Sequence, residues 1–171
     1  NRTYPKVDGP WNRYIDAIYR DDTARTMYLR RLRTLMDEQL QPSETPTADL
    51  RLNNRIDELV GLIQSDVVLD RARWGNPYGA NQDLATAIGL IKNSYLPRRR
   101  THLYYTYSTL NGLIPPAQTG VPAITFGVVE RSPSSGNQDE EYIEVVNPGS
   151  DSVDISGWKL VGDVTFTFAP G

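Results

Sequence analysis

The sequence contains no cysteine and a single histidine, His102, among its 171 residues. Disulfide bridges and thiolate metal sites are therefore excluded, and one imidazole cannot form a histidine-based metal cluster. The longest apolar runs are only about five residues, whereas a membrane-spanning helix needs about 20. The hydrophobic content of 39% and the mean hydropathy of -0.49 are typical of a globular domain.

Charge is distributed unevenly along the chain, whose net charge is -3. Through Ala117 there are 16 Lys and Arg against 13 Asp and Glu, whereas the remainder has 2 against 8. The apolar pattern changes from helical to strand spacing near the same place. Because paired prolines stop a helix and stiffen the chain after it, Leu113–Gly120 is predicted to be a linker between residues 1–117 and residues 118–171.

Apolar residues at helical spacing predict a bundle of four to five helices in the first part of the chain. A short helix from Trp11 to Tyr19 is followed by one that begins after Asp22 and ends before Pro42. The apolar residues of the second helix share one face and should be buried. They are Tyr28, Leu32, Leu35, Met36 and Leu40.

The third predicted helix is the most regular, opening at Thr47 or Asp49 and closing at Gly75-Asn76-Pro77. Its apolar stripe predicts a core helix, in which each large buried side chain contributes about 1.5–3 kcal/mol. The stripe consists of Leu52, Ile56, Leu59, Val60, Ile63 and Val67.

A fourth helix is predicted to start at a cap formed by Asn81 or Asp83. Its inward residues are Leu84, Ala87, Ile88 and Ile91. Pro97 either kinks this helix or separates it from a further helix that has proline in its first turn, and we favour the separation.

The segment Tyr142–Val146 has the dense β-branched and aromatic content of a strand. Asn147–Ser150 comes next with turn residues, so a hairpin is predicted in which the chain returns through Ser152–Ile155. A bend at Gly157 then places Trp158 over an apolar interior.

The runs EEYIEVVNPG, VDISGWKL and VTFTF followed by APG resemble the opening strands of the lamin-tail domain of bacterial extracellular proteins. The resemblance covers Ala123–Gly171 and implies the antiparallel strands of an immunoglobulin-like β-sandwich. A full domain of this family has further strands, so a truncated sandwich is expected. The fold class predicted for the chain is therefore α+β, with the helical bundle first.

The runs WNRYIDAIY, YLRRLRTLMDE, NNRIDELVGLI and IKNSYLPRRRTHL resemble the C-terminal helical part of the CotH-type spore-coat kinase family. These kinase-like proteins are extracellular, and bacterial members often carry a lamin-tail domain after the helices. The family's nucleotide and metal residues lie in an earlier portion, so no catalytic residue is transferred to this chain. ATP and Mg²⁺ are expected only for the parent protein, and this chain is expected to hold no cofactor.

The basic run Arg98, Arg99 and Arg100 lies near several tyrosines, a combination that suits phosphate or nucleic-acid contacts. Three consecutive helical positions point in different directions, however, and the chain is acidic. Ion pairing or domain docking is the favoured interpretation, and no nucleic-acid partner is expected. His102 is interpreted as a surface or capped residue rather than a general base.

Four carboxylates fall within six residues, a density that in an extracellular protein suggests Ca²⁺. They are Asp139, Glu140, Glu141 and Glu144. The favoured alternative is a solvated strand face, since side chains alternate along a strand and need not converge.

The leading hypothesis is a non-catalytic C-terminal segment of a larger extracellular, CotH-like protein, with a lamin-tail module for attachment or partner contact. Its partner would be a protein, a cell surface or its own upstream kinase-like domain. The alternative is a self-sufficient helical scaffold or interaction module unrelated to kinases.

Overall fold

The computed structural model describes residues 12–75, 83–163 and 165–170. The predicted α+β class is confirmed, because helices come first and two small antiparallel sheets come after them. The helices are α1 (Arg13–Arg20), α2 (Asp22–Leu35), α3 (Arg51–Trp74), α4 (Leu84–Leu90) and α5 (Leu96–Arg100). The strands are β1 (Thr125–Glu130), β2 (Tyr142–Val146), β3 (Lys159–Leu160) and β4 (Phe166–Thr167).

The chain forms two compact units. One, here called the helical unit, is Leu32–Pro116, and the other, here called the β unit, combines Asn1–Arg31 with Ala117–Gly171. The β unit therefore includes α1 and most of α2 as well as the four strands. The assignment of residues 1–117 and 118–171 to parts of two families stays a prediction.

The core of the helical unit lies where the end of α2, the start of α3 and α5 meet. Among the described residues of this unit, the buried apolar side chains are Met36, Leu40, Leu50, Leu96, Leu103 and Ile114. The stripe of α2 correctly predicts Met36 and Leu40, whereas Leu35 of that stripe is exposed. In the β unit Leu29 is buried and Tyr28 is exposed, so the inward face of α2 lies one residue away from the predicted one there.

Three helix ends carry residues that are favoured at such positions, namely two side-chain caps and one glycine. The side chains of Asn12 and Asp83 accept hydrogen bonds from the amides of Ile15 and Thr86, and so cap α1 and α4. Gly75 ends α3 with a φ of 63°, which a glycine adopts without a steric penalty. The predicted signals at residues 8–11, 76, 77 and 81 lie outside the described residues.

The predicted opening of α3 at Thr47 or Asp49 is wrong. Thr47–Asp49 forms a separate 3₁₀ turn, and α3 begins after Leu50, which has no capping side chain. Instead the amide of Arg51 donates to Oε1 of Gln41 at 2.6 Å. A side chain ten residues earlier therefore satisfies one of the free amides of the first turn.

The prediction that α3 is a core helix is also wrong. Asn53 is the only buried residue of α3. Leu59 and Ile63 of the predicted stripe are exposed, and the other four are half-buried. A helix of 24 residues is about 36 Å long, so its apolar face extends beyond the α4 and α5 segments that could cover it.

The helix predicted to have Pro97 in its first turn is present as α5, which begins at Leu96, but the helical backbone does not break before it. Residues on both sides of Pro97 have helical φ and ψ, and the chain widens to π-helix over Ile91–Tyr95 and again over Thr101–Leu110. The amide of Leu96 donates to the carbonyl of Ile91, five residues earlier. This wider turn precedes the proline, whose missing N–H and bulky ring would disturb a regular α-turn. Of the residues predicted to point inward from this helix, Ile91 is exposed.

The first half of the predicted linker is fixed to the helical unit. Ile114 is buried, and its amide donates to the carbonyl of Tyr107 at 3.2 Å. The carbonyl of Pro115 accepts from Nη1 of Arg33 at 3.3 Å. The paired prolines thus end the helix, as predicted, but the chain leaves the helical unit only after Pro116.

The strand predicted at Tyr142–Val146 is β2, but the hairpin predicted after it is wrong. β2 pairs with β1, from Thr125 opposite Val146 to Glu130 opposite Tyr142, with a bulge after Phe126. The segment Ser152–Ile155 forms no strand.

Other groups bind the polar backbone of this segment instead. The side-chain amide of Gln118 accepts from the Asp154 N–H and donates to its C=O, both at 3.0 Å. Nε of Arg30 donates to the carbonyl of Ser152 at 3.0 Å, and Arg31 forms an ion pair with Asp154 at 3.1 Å. These contacts take the place of the backbone hydrogen bonds that the segment would have formed with β2 in a hairpin. Trp158 comes after the bend at Gly157 and is half-buried.

Across the described ranges, no helix combines the length and the apolar character that crossing a membrane would require.

Candidate interaction surface

An apolar groove lies between α3 and α4 of the helical unit and is here called the α3–α4 groove. Its volume is about 780 Å³. Apolar side chains from both helices dominate its walls, namely Val60, Val67, Val68, Leu84 and Ile88. Nζ of Lys92 lies 2.6 Å from both carboxylate oxygens of Asp57, so an ion pair joins α3 to the turn after α4 beside the groove. An apolar surface with charges at its rim is typical of a protein-binding site.

A second concavity of about 550 Å³ lies beside Tyr104 and Tyr105. Nε of Arg33 donates to both carboxylate oxygens of Asp37 at 2.9 and 3.0 Å, and the Tyr104 hydroxyl donates to the same carboxylate at 3.0 Å. The guanidinium of Arg33 also lies 5.1 Å from the centre of the Tyr104 ring. These contacts join Tyr104 to the end of α2, and the neighbouring Tyr105 is exposed.

Burial and the hydrogen bond to Asp37 both raise the pKa of the Tyr104 phenol. The hydroxyl therefore remains protonated at neutral pH and acts as a donor, not as a base. The sequence does not predict this role, because the apolar stripe of α2 puts Arg33 and Asp37 on its solvent face. The one feature of the sequence that indicates this contact is the i,i+4 spacing of Arg33 and Asp37, which suits an ion pair on a helix.

The basic run does not form one patch. Arg98 and Arg99 are exposed, whereas Arg100 is only 3% exposed. Nε of Arg100 donates to the carbonyl of Leu40 at 2.9 Å, and Nη2 donates to Oδ1 of Asn53 at 3.3 Å. Arg100 therefore joins the end of α2, α3 and α5, and its role is structural.

His102 is half-buried and packs edge-on against Tyr107, with ring centres 4.6 Å apart. Burial lowers the pKa of its imidazole, and the nearby positive charge of Arg99 lowers it further. The side chain is therefore neutral at pH 7, as a packed aromatic ring.

The four acidic candidates are all exposed and make separate local contacts. Oε2 of Glu140 accepts from the Ser135 hydroxyl at 2.7 Å, while Oε2 of Glu144 accepts from the Val128 amide at 2.9 Å. Asp139 lies in a 3₁₀ turn and Glu141 comes directly after it. Over the ranges that the structure describes, no three His, Asp or Glu side chains are grouped as metal ligands would be.

Comparisons with known proteins give no match to a family model, to a curated protein or to a solved structure.

Proposed function

We propose that this chain is the non-catalytic C-terminal segment of a larger extracellular, CotH-like protein. In this proposal the helical unit docks on the kinase-like domain of the same protein, and the β unit begins a lamin-tail module for attachment or partner contact. ATP and Mg²⁺ would belong to the upstream kinase-like part. The gene's upstream sequence tests this directly, since it should encode a signal peptide and the family's aspartate-rich motif.

The observation that carries the proposal is the α3–α4 groove. Its walls are largely aliphatic, and Val68 on its rim is 65% exposed. Burying such a surface against another domain removes apolar area from water, the main favourable contribution to most protein association. The resemblance of these helices to a segment that comes after a kinase-like domain favours that domain as the occupant.

A charge placed in the groove should abolish docking. We expect the substitution Val68→Asp to weaken binding of the chain to the separately produced upstream domain by about tenfold or more, because a carboxylate would be buried in an apolar contact. Isothermal titration calorimetry measures the affinity. Since Val68 is exposed, the helical unit itself should remain folded, which circular dichroism verifies.

Leu62→Asp is the matched control for this experiment. Leu62 is also an exposed apolar residue of α3, at 67%, but it does not line the groove. Its substitution should leave docking unchanged. The proposal is contradicted if the unmodified chain fails to bind the upstream domain, or if Val68→Asp binds as tightly.

The β unit supports the second half of the proposal. Phe126, Val129 and Tyr142 are large apolar side chains of the β1–β2 ribbon, and all three are exposed. A two-stranded ribbon is marginal in water unless another sheet or helix covers one face. A sandwich completed by later strands would supply that cover.

Amide hydrogen exchange in β2 should therefore depend on residues beyond Gly171. We expect the amides of Tyr142–Val146 to exchange about tenfold or more slowly in a chain extended through a full lamin-tail domain than in the 171-residue chain, because extra strands suppress local opening. Amides of α5 serve as the internal control and should not change. Strong protection of β2 in the monomeric 171-residue chain would contradict the half-sandwich interpretation.

A further inference from the structure

The outer face of α3 carries a second apolar surface, distinct from the α3–α4 groove. Leu62 and Leu69 are 67% and 69% exposed, and Leu59 is exposed as well. With Arg55 and Asp66 they recur at spacings of four and three residues along the helix. Residues at this spacing form one continuous seam, the pattern through which two helices pair.

The seam and the groove lie on different sides of the helix. At about 100° per residue, Leu62 and Leu69 point more than about 100° away from the groove residues Val60 and Val67. A partner in the groove therefore does not cover the seam. From the seam's spacing and charges we infer that α3 pairs antiparallel with α3 of a second copy of this chain.

The charge pattern selects both the occupant and its direction. Arg51 and Arg55 flank the first half of the seam, and Asp66 and Asp70 flank the second half. Two parallel copies would bring like charges together, whereas two antiparallel copies bring each arginine to an aspartate. Of the two orientations, the antiparallel one therefore pairs these four charges with opposite signs.

A single register satisfies the apolar and the charged positions together. When Leu59 lies opposite Leu62 of the second copy, Leu52 lies opposite the second copy's Leu69. The same alignment places Arg55 opposite Asp66 and Arg51 opposite Asp70. The paired length, from residue 52 to residue 69, is about 26 Å along the helix axis.

The groups required for these ion pairs are accessible. Asp66 and Asp70 are exposed and form no ion pair with the residues that the structure describes. Arg55 contacts Glu58 one turn later, and Nη1 of Arg51 donates to the carbonyl of Glu38 at 3.3 Å. A guanidinium has five N–H donors, so each arginine retains donors for a carboxylate of the second copy.

Sedimentation equilibrium of the 171-residue chain tests the pairing. We expect a reversible monomer–dimer equilibrium. Leu62→Asp should weaken the association of the two copies by about 100-fold or more, because it places a carboxylate against Leu59 at both of the symmetric contacts between Leu59 and Leu62. Val68→Asp, in the groove, should leave the dimer intact. A chain that is monomeric at every accessible concentration, or a dimer insensitive to Leu62→Asp, would overturn the inference.

Charge reversal tests the antiparallel direction. Arg55→Asp and Asp66→Arg should each weaken the dimer, whereas the double variant should restore it, since every interchain pair then regains opposite charges. In a parallel dimer each position faces its own copy, and the double variant would restore nothing. That second result would refute the antiparallel arrangement.

Cross-linking tests the register without ambiguity, because the natural chain has no cysteine. An oxidised mixture of Leu52→Cys and Leu69→Cys chains should form mixed disulfides, while each variant alone should not, since its two cysteines would lie about 26 Å apart. Disulfides formed by each variant alone, with none in the mixture, would disprove the register. These assays use one protein only, so their failure is distinguishable from failure of docking on the upstream domain.

Discussion

Replacing Arg100 with methionine is expected to destabilise the helical unit by about 2–4 kcal/mol. The guanidinium donates to the carbonyl of Leu40 and to Oδ1 of Asn53 from a site that is 3% exposed. Methionine retains much of the apolar volume but supplies no donor. Two acceptors then lose their partners in the interior, and each costs about 1–3 kcal/mol when left unsatisfied.

The neighbouring residue provides the control for this prediction. Arg99 is exposed, and Arg99→Met removes the same charge and the same length of side chain one position away. It should change the free energy of unfolding in urea by no more than about 0.5 kcal/mol. Equal losses from the two substitutions would show that the effect of Arg100 comes from net charge and not from its buried contacts.

Ile114→Ala is expected to cost about 2–5 kcal/mol of the stability of the helical unit. Ile114 is 3% exposed, although it lies in a segment whose composition suggests a connecting loop. Truncation removes three carbon atoms from the core and leaves a cavity that the surrounding side chains fill only in part. Urea unfolding followed by circular dichroism measures the loss.

Leu113→Ala is the matched comparison, because Leu113 precedes Ile114 and is 39% exposed. Its truncation should cost less than about 1 kcal/mol, since many of the removed atoms already contact water. Limited proteolysis gives an independent measure. The Ile114→Ala chain should be cleaved near residues 113–116 faster than the Leu113→Ala chain. The opposite order would contradict the prediction that Ile114, and not Leu113, holds this segment on the helical unit.

Features set by a few neighbouring residues are predictable from the sequence. The cap at Asp83, the glycine end of α3 and the strand Tyr142–Val146 each depend on local backbone preferences, which are the same wherever the segment packs. The α+β class has the same local origin, because helical spacing gives way to strand spacing once along the chain.

Burial and pairing are not predictable in the same way. The apolar stripe of α3 has the spacing of a core helix. Burial of the stripe also requires a neighbouring element long enough to cover it, and the periodicity of α3 carries no information about the length of that neighbour. Arg100 shows the converse, since a charged residue in a basic run is expected at the surface. Only the positions of Leu40 and Asn53, 60 and 47 residues away, make its burial favourable.

The partner of β2 cannot be inferred from the turn after it. Asn147–Ser150 does contain a side-chain turn, in which Oδ1 of Asn147 accepts from the Gly149 amide at 3.0 Å. Whether the chain then pairs with β2 depends on competitors for its backbone groups. β1 on one side and the side chains of Gln118 and Arg30 on the other are such competitors.

The widened turns of Thr101–Leu110 make this segment tolerant of a change in chain length. A π-turn holds more residues than an α-turn, so loss of one residue there can restore a regular α-helix. Because the wide turn accommodates the extra residue locally, the side chains on either side of the deletion would keep nearly the same direction. A deletion within α3, a regular α-helix, would instead rotate the side chains before it by about 100° relative to those after it, so single deletions should be tolerated better in Thr101–Leu110 than in α3.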